Sequence, residues 1–279
     1  MTMKILHSIA LVSAMACGVV ACDKGTETTP FEPVPLAAVR FVNAVPDTMA
    51  MDYRFVDLVT NSGMFDASFR DRQEHYLPIE AGSHTFRVFL SSSDQAVATT
   101  VVNETTFSFA DGGRYTVLHG GYMRSGSTPA ATVTVVEDNA PAPAAGKVAL
   151  RVLNLAGDLG PVDVFVGTTS TADQVPAATA TWTNLAFGTF TPYVDLDTAA
   201  LRVAATATTT TTPLLVANTA APAGAAATGT SSAITGVRIA GSVITVVVLP
   251  QSVAGSMAPQ SSAFQAPAFV FLNDRRPPE

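Results

Sequence analysis

Cysteine is almost missing from this 279-residue chain: there are 2, Cys17 and Cys22, and both precede Asp23. With cleavage before Cys22 only one thiol remains, so no internal disulfide can staple the fold, even in an oxidising compartment. Each domain has to stand on its apolar core. Lysine is nearly as scarce, occurring only at positions 4, 24 and 147. Charged residues make up 13% of the chain, about half the usual share. The 22 carboxylates outnumber the 15 lysines and arginines, no basic cluster occurs, and the net charge is −7. That balance excludes a nucleic-acid partner, which requires concentrated positive surface. A sustained apolar stripe of helical period is missing too, which argues against a helical fold. So are G-x-S-x-G, G-x-G-x-x-G, H-E-x-x-H and a P-loop before Gly146-Lys147. The expectation is a protein without enzyme activity and without a cofactor.

What is present begins with a leader. Residues 1–21 carry Lys4 and then mostly apolar text from Ile5 to Val20. A spanning helix needs about 20 apolar residues, so this run has the shape of a cleaved signal peptide. It ends in Val19-Val20-Ala21-Cys22, which resembles the lipobox of bacterial lipoproteins: an aliphatic residue, a small residue before the cut, then a cysteine. The thiol is required because the lipid is attached through a thioether. Cys22 is therefore the expected lipidation site, with Cys17 a weaker match because Ala14 stands at the aliphatic position. Acyl chains contribute about 0.8 kcal/mol per buried methylene, so several hold a protein far more firmly than one. The expected partner is a membrane, through this lipid. The expected location is the cell envelope, at the outer membrane or the periplasmic face of the inner one.

Residues 22–36 are polar and proline-bearing, and read as a disordered tether. Beyond them the chain says one thing twice. Val39-Arg40-Phe41-Val42-Asn43-Ala44-Val45-Pro46-Asp47, running on to Met51-Asp52-Tyr53-Arg54-Phe55, returns as Leu150-Arg151-Val152-Leu153-Asn154-Leu155-Ala156-Gly157-Asp158 with Val162-Asp163-Val164-Phe165-Val166. Duplication sets the architecture before any motif does. Period-two alternation over Ser83–Leu90, with further short runs at Ala96–Val102, Thr105–Phe109, Arg114–Leu118 and Val133–Glu137, predicts strands separated by turns. Expected are two tandem antiparallel β-sandwich domains, of immunoglobulin-like or transthyretin-like kind, each with about seven or eight strands. Their bounds are 37–138 and 148–274, joined by a Pro/Ala linker at 139–147, and they are expected to fold separately. Within the second copy, residues 204–232 are rich in Ala and Thr and predict an insertion forming a ragged hairpin or mobile loop. The copies align as Ile79 and Gly82 with Leu185 and Gly188, Phe86-Arg87-Val88 with Leu201-Arg202-Val203, and Tyr115-Thr116-Val117 with Ile244-Thr245-Val246. Phe269–Leu272 is read as the last strand.

Val39 to Asp47, Met51 to Phe55, Ile79 to Phe89 and Gly113 to Val117 together resemble the domain of unknown function 4397 family. The second copy departs from that pattern, with Ala156-Gly157 in place of Val-Pro and Phe190 in place of the strand histidine. The resemblance implies secreted or lipid-anchored bacterial β-sandwich domains, often in tandem. It implies no activity.

Candidate site residues are few. Asp52 and Asp163 recur inside otherwise apolar strands. Either they pair with Arg40 and Arg151 across neighbouring strands, for about 0.2–1 kcal/mol each, or they line a ligand groove. Asp47, Asp158, Asn43 and Asn154 are turn residues. His75, His84 and His119 match no zinc spacing. A site of His75, Asp71 and Glu74 is a thin metal reading, as is calcium at the lone Asp195-x-Asp197. Trp182, the only tryptophan, stands near Phe187, Phe190 and Tyr193. Exposed, Trp182 and Tyr193 could stack on a sugar; buried, Trp182 anchors the second core.

The expected function is a lipid-anchored cell-envelope module of binding or structural role, whose partner is an envelope glycan or protein. The alternatives are an accessory glycan-binding lipoprotein and a periplasmic hydrolase with its site between the domains. A convergence of carboxylates and histidines would favour the hydrolase, and an exposed tryptophan platform would favour the glycan.

Overall fold

The computed structural model describes residues 33–59, 62–138 and 140–277; the leader and Cys22 lie outside the described residues. The first half contains β1 (Leu36–Ala44), β2 (Met51–Phe55), β3 (Gly63–Ala67), β4 (Leu77–Glu80), β5 (Gly82–Leu90), the single-turn helix α1 (Gln95–Ala98), β6 (Val101–Phe109), β7 (Arg114–Gly120) and β8 (Thr132–Glu137). The second contains β9 (Lys147–Asn154), β10 (Val162–Gly167), β11 (Trp182–Leu185), β12 (Val194–Asp197), β13 (Arg202–Ala207), β14 (Leu214–Ala220), β15 (Val243–Leu249) and β16 (Ala268–Arg275). The predicted strand at Ala96–Val102 starts instead as helix, because Asp94 accepts a hydrogen bond from the Ala96 amide at 2.9 Å and caps the turn.

Each half is a sandwich of two four-stranded sheets. The orders are β4-β1-β7-β8 and β3-β2-β5-β6 in the first, and β12-β9-β15-β16 and β11-β10-β13-β14 in the second. Adding eight to every strand number of the first half reproduces the second. The pairs β1–β7 and β9–β15 are parallel and all others antiparallel. Register identifies equivalent residues: Arg40 faces Thr116 as Arg151 faces Thr245. Two of the sequence alignments need correction. The partner of Phe86 is Val203, since Phe55 faces Phe86 and Val166 faces Val203. A two-residue slip leaves no trace in the hydrophobic pattern because it preserves which face each side chain occupies. Ile79 corresponds to Leu196 on β12, and Leu185 belongs to β11, the equivalent of β3. Residues 204–232 also divide differently from expectation. Ala204, Ala205 and Thr206 are buried on β13, which forms a hairpin with β14 containing two register shifts. The segment without a counterpart is 221–242, between β14 and β15, where the first half has only Ala110–Gly113 between β6 and β7.

The first core is aromatic, with Phe41 against Phe86 at 5.4 Å between ring centroids and Phe109 against Tyr115 at 5.1 Å. The second fills the same positions with Val152, Val164, Val166 and Val203, and Trp182 takes the place of Met64. A third cluster joins the halves: Val42, Ala44 and Leu118 pack with Leu153, Val247, Leu249, Val270 and Leu272. Strands β1, β7, β9 and β15 are thus buried on both faces. Residues Val34–Glu279 form one compact unit around these three clusters, not two bodies on a linker.

Candidate functional site

The repeated aspartates do not meet the repeated arginines. Asp52 accepts a hydrogen bond from the Asp66 amide at 2.8 Å and pairs with Arg54 on its own strand. Asp163 accepts from the amides of Asn184 at 2.7 Å and Thr209 at 2.9 Å. Asp66 and Asn184 occupy equivalent positions on β3 and β11, where the register shifts and the backbone turns left-handed, with φ of 50° and 54°. Asp and Asn tolerate that conformation better than most residues. Each strand carboxylate therefore clamps a β-bulge in the neighbouring edge strand. Asn43 and Asn154 act as expected on the turn: their Oδ1 atoms accept from Val45 at 3.0 Å and Ala156 at 2.9 Å.

Arg40 and Arg151 face the other way, into the seam between the halves. Arg40 donates through Nε to Thr116 Oγ1 at 2.7 Å, through Nη1 to the Asn273 carbonyl at 2.9 Å, and through Nη2 to Asp274. Arg151 repeats the set, with Thr245 Oγ1 at 2.7 Å, the Glu137 carbonyl at 3.3 Å, and Asp138. Each arginine binds a threonine of its own half and an aspartate of the other. Tyr76 and Tyr193 complete the exchange, donating at 2.9 Å to Asp138 and Asp274, while each ring lies 4.6 Å below a guanidinium. Burial works against the charge on Arg40, but Asp274, Tyr76 and Asp138 outweigh it and raise its pKa. Burial raises the Asp274 carboxyl against the opposing pull of Arg40. Both tyrosine hydroxyls are pushed well up, chiefly by burial. Asp138 and Asp274 lie just past the predicted final strands, where nothing in sequence marks Asp274 as the partner of an arginine 234 residues away, or Asp138 as the partner of an arginine 13 residues on in the other half.

Trp182 is 7% exposed and belongs to the second core; its Nε1 has no hydrogen-bond partner. Phe187 and Phe190 pack against the seam, and Tyr193 is engaged there. These four do not form an exposed platform. His119 is fully buried beside Tyr53, 3.3 Å from its hydroxyl, and burial lowers its pKa to about 3. His84 donates through Nε2 to the Glu80 carbonyl at 2.9 Å. Asp195 accepts from the Ala144 amide and Asp197 pairs with Lys147 at 2.6 Å. Among the described residues no group of three metal-type side chains converges.

At one end of the seam the halves leave a cleft of about 810 Å³. One wall is Glu74, His75 and Arg114 of the first half; the other is Ser232–Thr235 of the 221–242 segment and Asn273–Arg276. Glu74 is paired with Arg72 at 3.0 Å, and Arg114 donates to the Asp274 carbonyl at 3.1 Å. Arg275 and Arg276 are exposed, and among the described residues neither has a carboxylate within ion-pair distance.

Fold and seam define a class: an all-β protein of two topologically identical sandwiches, locked by reciprocal buried ion pairs. Residues 37–165 match the family described as domain of unknown function (DUF4397). The match covers the whole first sandwich and continues through β9 into β10, so it contains Arg40, Asp138 and Arg151 and ends before Asp274. No curated protein matches the chain.

Proposed function

We propose that this chain is a lipid-anchored, non-enzymatic module of the cell envelope, with residues 1–21 removed, Cys22 acylated, and both sandwiches descended from one DUF4397 ancestor. The observation that carries this reading is the seam. The densest buried charge among the described residues, formed by Arg40, Asp138, Arg151 and Asp274, is consumed in joining the halves. It is spent on rigidity, as befits a body that holds its loops in a fixed arrangement relative to one another. The ancestry is supported by the strand-for-strand topology and by the shared bulge clamp at Asp52 and Asp163. The hydrolase reading has little support, since the carboxylates lining the cleft, Glu74 and Asp274, are each engaged by an arginine.

Fractionation of cells expressing Cys22→Ala tests the anchor. The parent is expected in the membrane fraction and the variant in the soluble one; a variant that stays with the membrane overturns the lipid attachment.

A further inference from the structure

The seam is two-fold symmetric in its contacts, yet its two ends are not alike. Register makes Thr191-Pro192-Tyr193 the counterpart of Glu74-His75-Tyr76, and Val243 the counterpart of Arg114. The 221–242 segment, which forms one wall of the cleft, has no counterpart in the first half. That segment walls the cleft at one end of the seam, where three arginines stand with Glu74 and Asp274. The cleft brings Arg114, Arg275 and Arg276 together in a chain of net charge −7. A second hollow of about 440 Å³ shares Arg114 and Arg275 with it, alongside Asp138 and Asp274.

The chemistry of the lining is specific. Arginine forks match planar carboxylate and phosphate groups better than an ammonium does, and this chain has almost no lysine to do the work otherwise. Asn273 adds an amide group, an ordinary partner of sugar hydroxyls, and Ile234 is 62% exposed beside it. A volume of this size takes a ligand of two or three sugar rings. Arg275 is exposed and lines the cleft, while its neighbour Asp274, at a register shift of β16, is turned inward to Arg40.

We propose that this cleft binds an acidic oligosaccharide, gripping its carboxylate or phosphate with Arg275, Arg276 and Arg114. The proposal rests on the envelope-module reading and names the ligand class of that module. A polysaccharide of the envelope or its surroundings supplies such groups either as uronic acids or as sugar phosphates.

The test is calorimetric titration of the full chain in detergent, at low ionic strength, with trigalacturonate, glucose 1-phosphate, maltotriose and inorganic phosphate. Binding of trigalacturonate or glucose 1-phosphate is expected, and the tighter of the two identifies the source of the anion. Affinity should fall at least tenfold in the Arg275→Ala/Arg276→Ala double variant and fall with added salt. It should be unchanged in Arg124→Ala, an exposed arginine elsewhere. Both substituted side chains are exposed, so the fold is expected to survive; a far-UV spectrum matching the parent checks this. The proposal is overturned if neither acidic sugar binds, if maltotriose or inorganic phosphate binds as tightly, or if the double variant keeps the parental affinity. Because the anchor is tested by fractionation, failure here leaves the lipid reading standing, and failure there leaves the cleft.

Discussion

Asp274 is the residue on which most of the seam converges: Arg40, Thr245 and Tyr193 all donate to its carboxylate. Removing it leaves Arg40 with Asp138 at 3.5 Å as its remaining carboxylate, in a place where the arginine has no exposure. An uncompensated buried charge costs about 3–5 kcal/mol, whereas replacing both partners by apolar groups is often close to neutral. Asp274→Ala should therefore lower the urea midpoint sharply, and Arg40→Met/Asp274→Leu should recover most of the loss. A double variant no better than the single one would show that the ion pair is not the source. His119 yields a pH prediction. Its unfolded imidazole takes a proton near the ordinary 6.5, while burial delays uptake in the folded chain to about 3. Between those values the unfolded state binds the extra proton, so stability present at neutral pH is lost as pH falls from 6.5 towards 3. The loss runs at up to about 1.4 kcal/mol per pH unit. His119→Phe should flatten that acid-side slope relative to the parent, measured by urea unfolding at pH 7 and pH 4.5; parallel slopes would exclude His119 as the cause.

Among the elements, the strands of the first half were largely legible because alternation and turn residues are local signals. Ser83–Leu90 and Arg114–Leu118 fall inside β5 and β7. The errors lie where side-chain period carries no information. A slip of two residues keeps the faces intact, so the pattern matches Phe86 to Leu201 although its structural counterpart is Val203. Small residues also hid a strand. Ala204, Ala205 and Thr206 read as the start of an Ala/Thr-rich insertion, yet at 0% exposure they are core, since the closely packed centre of the second sandwich has room for methyl groups and little more. The Asp52 and Asp163 clamp was visible only as recurrence. Its purpose depends on a bulge in a different strand, and bulges leave no mark in hydrophobic pattern.

At the scale of the whole molecule, the shared cluster around Val42, Leu118, Leu153 and Val247 predicts that the halves unfold together. Trp182 lies in the second core alone, so its fluorescence reports that half while far-UV circular dichroism reports both. The two signals should trace one coincident urea transition; separated midpoints would restore independent sandwiches. The duplication and the β class could be read from the chain alone, because repeat and strand period are properties of neighbouring residues; the anchor at Cys22 and the lack of a nucleic-acid partner are expectations drawn from the same text. Only tertiary structure decided that Arg40 answers to Asp274 and Arg151 to Asp138, and that one end of the seam holds Arg114, Arg275 and Arg276 around a cleft. Those pairings depend on how two doubly buried sheets face each other, and a contact between residues 40 and 274 has no signature in the order of the residues between them.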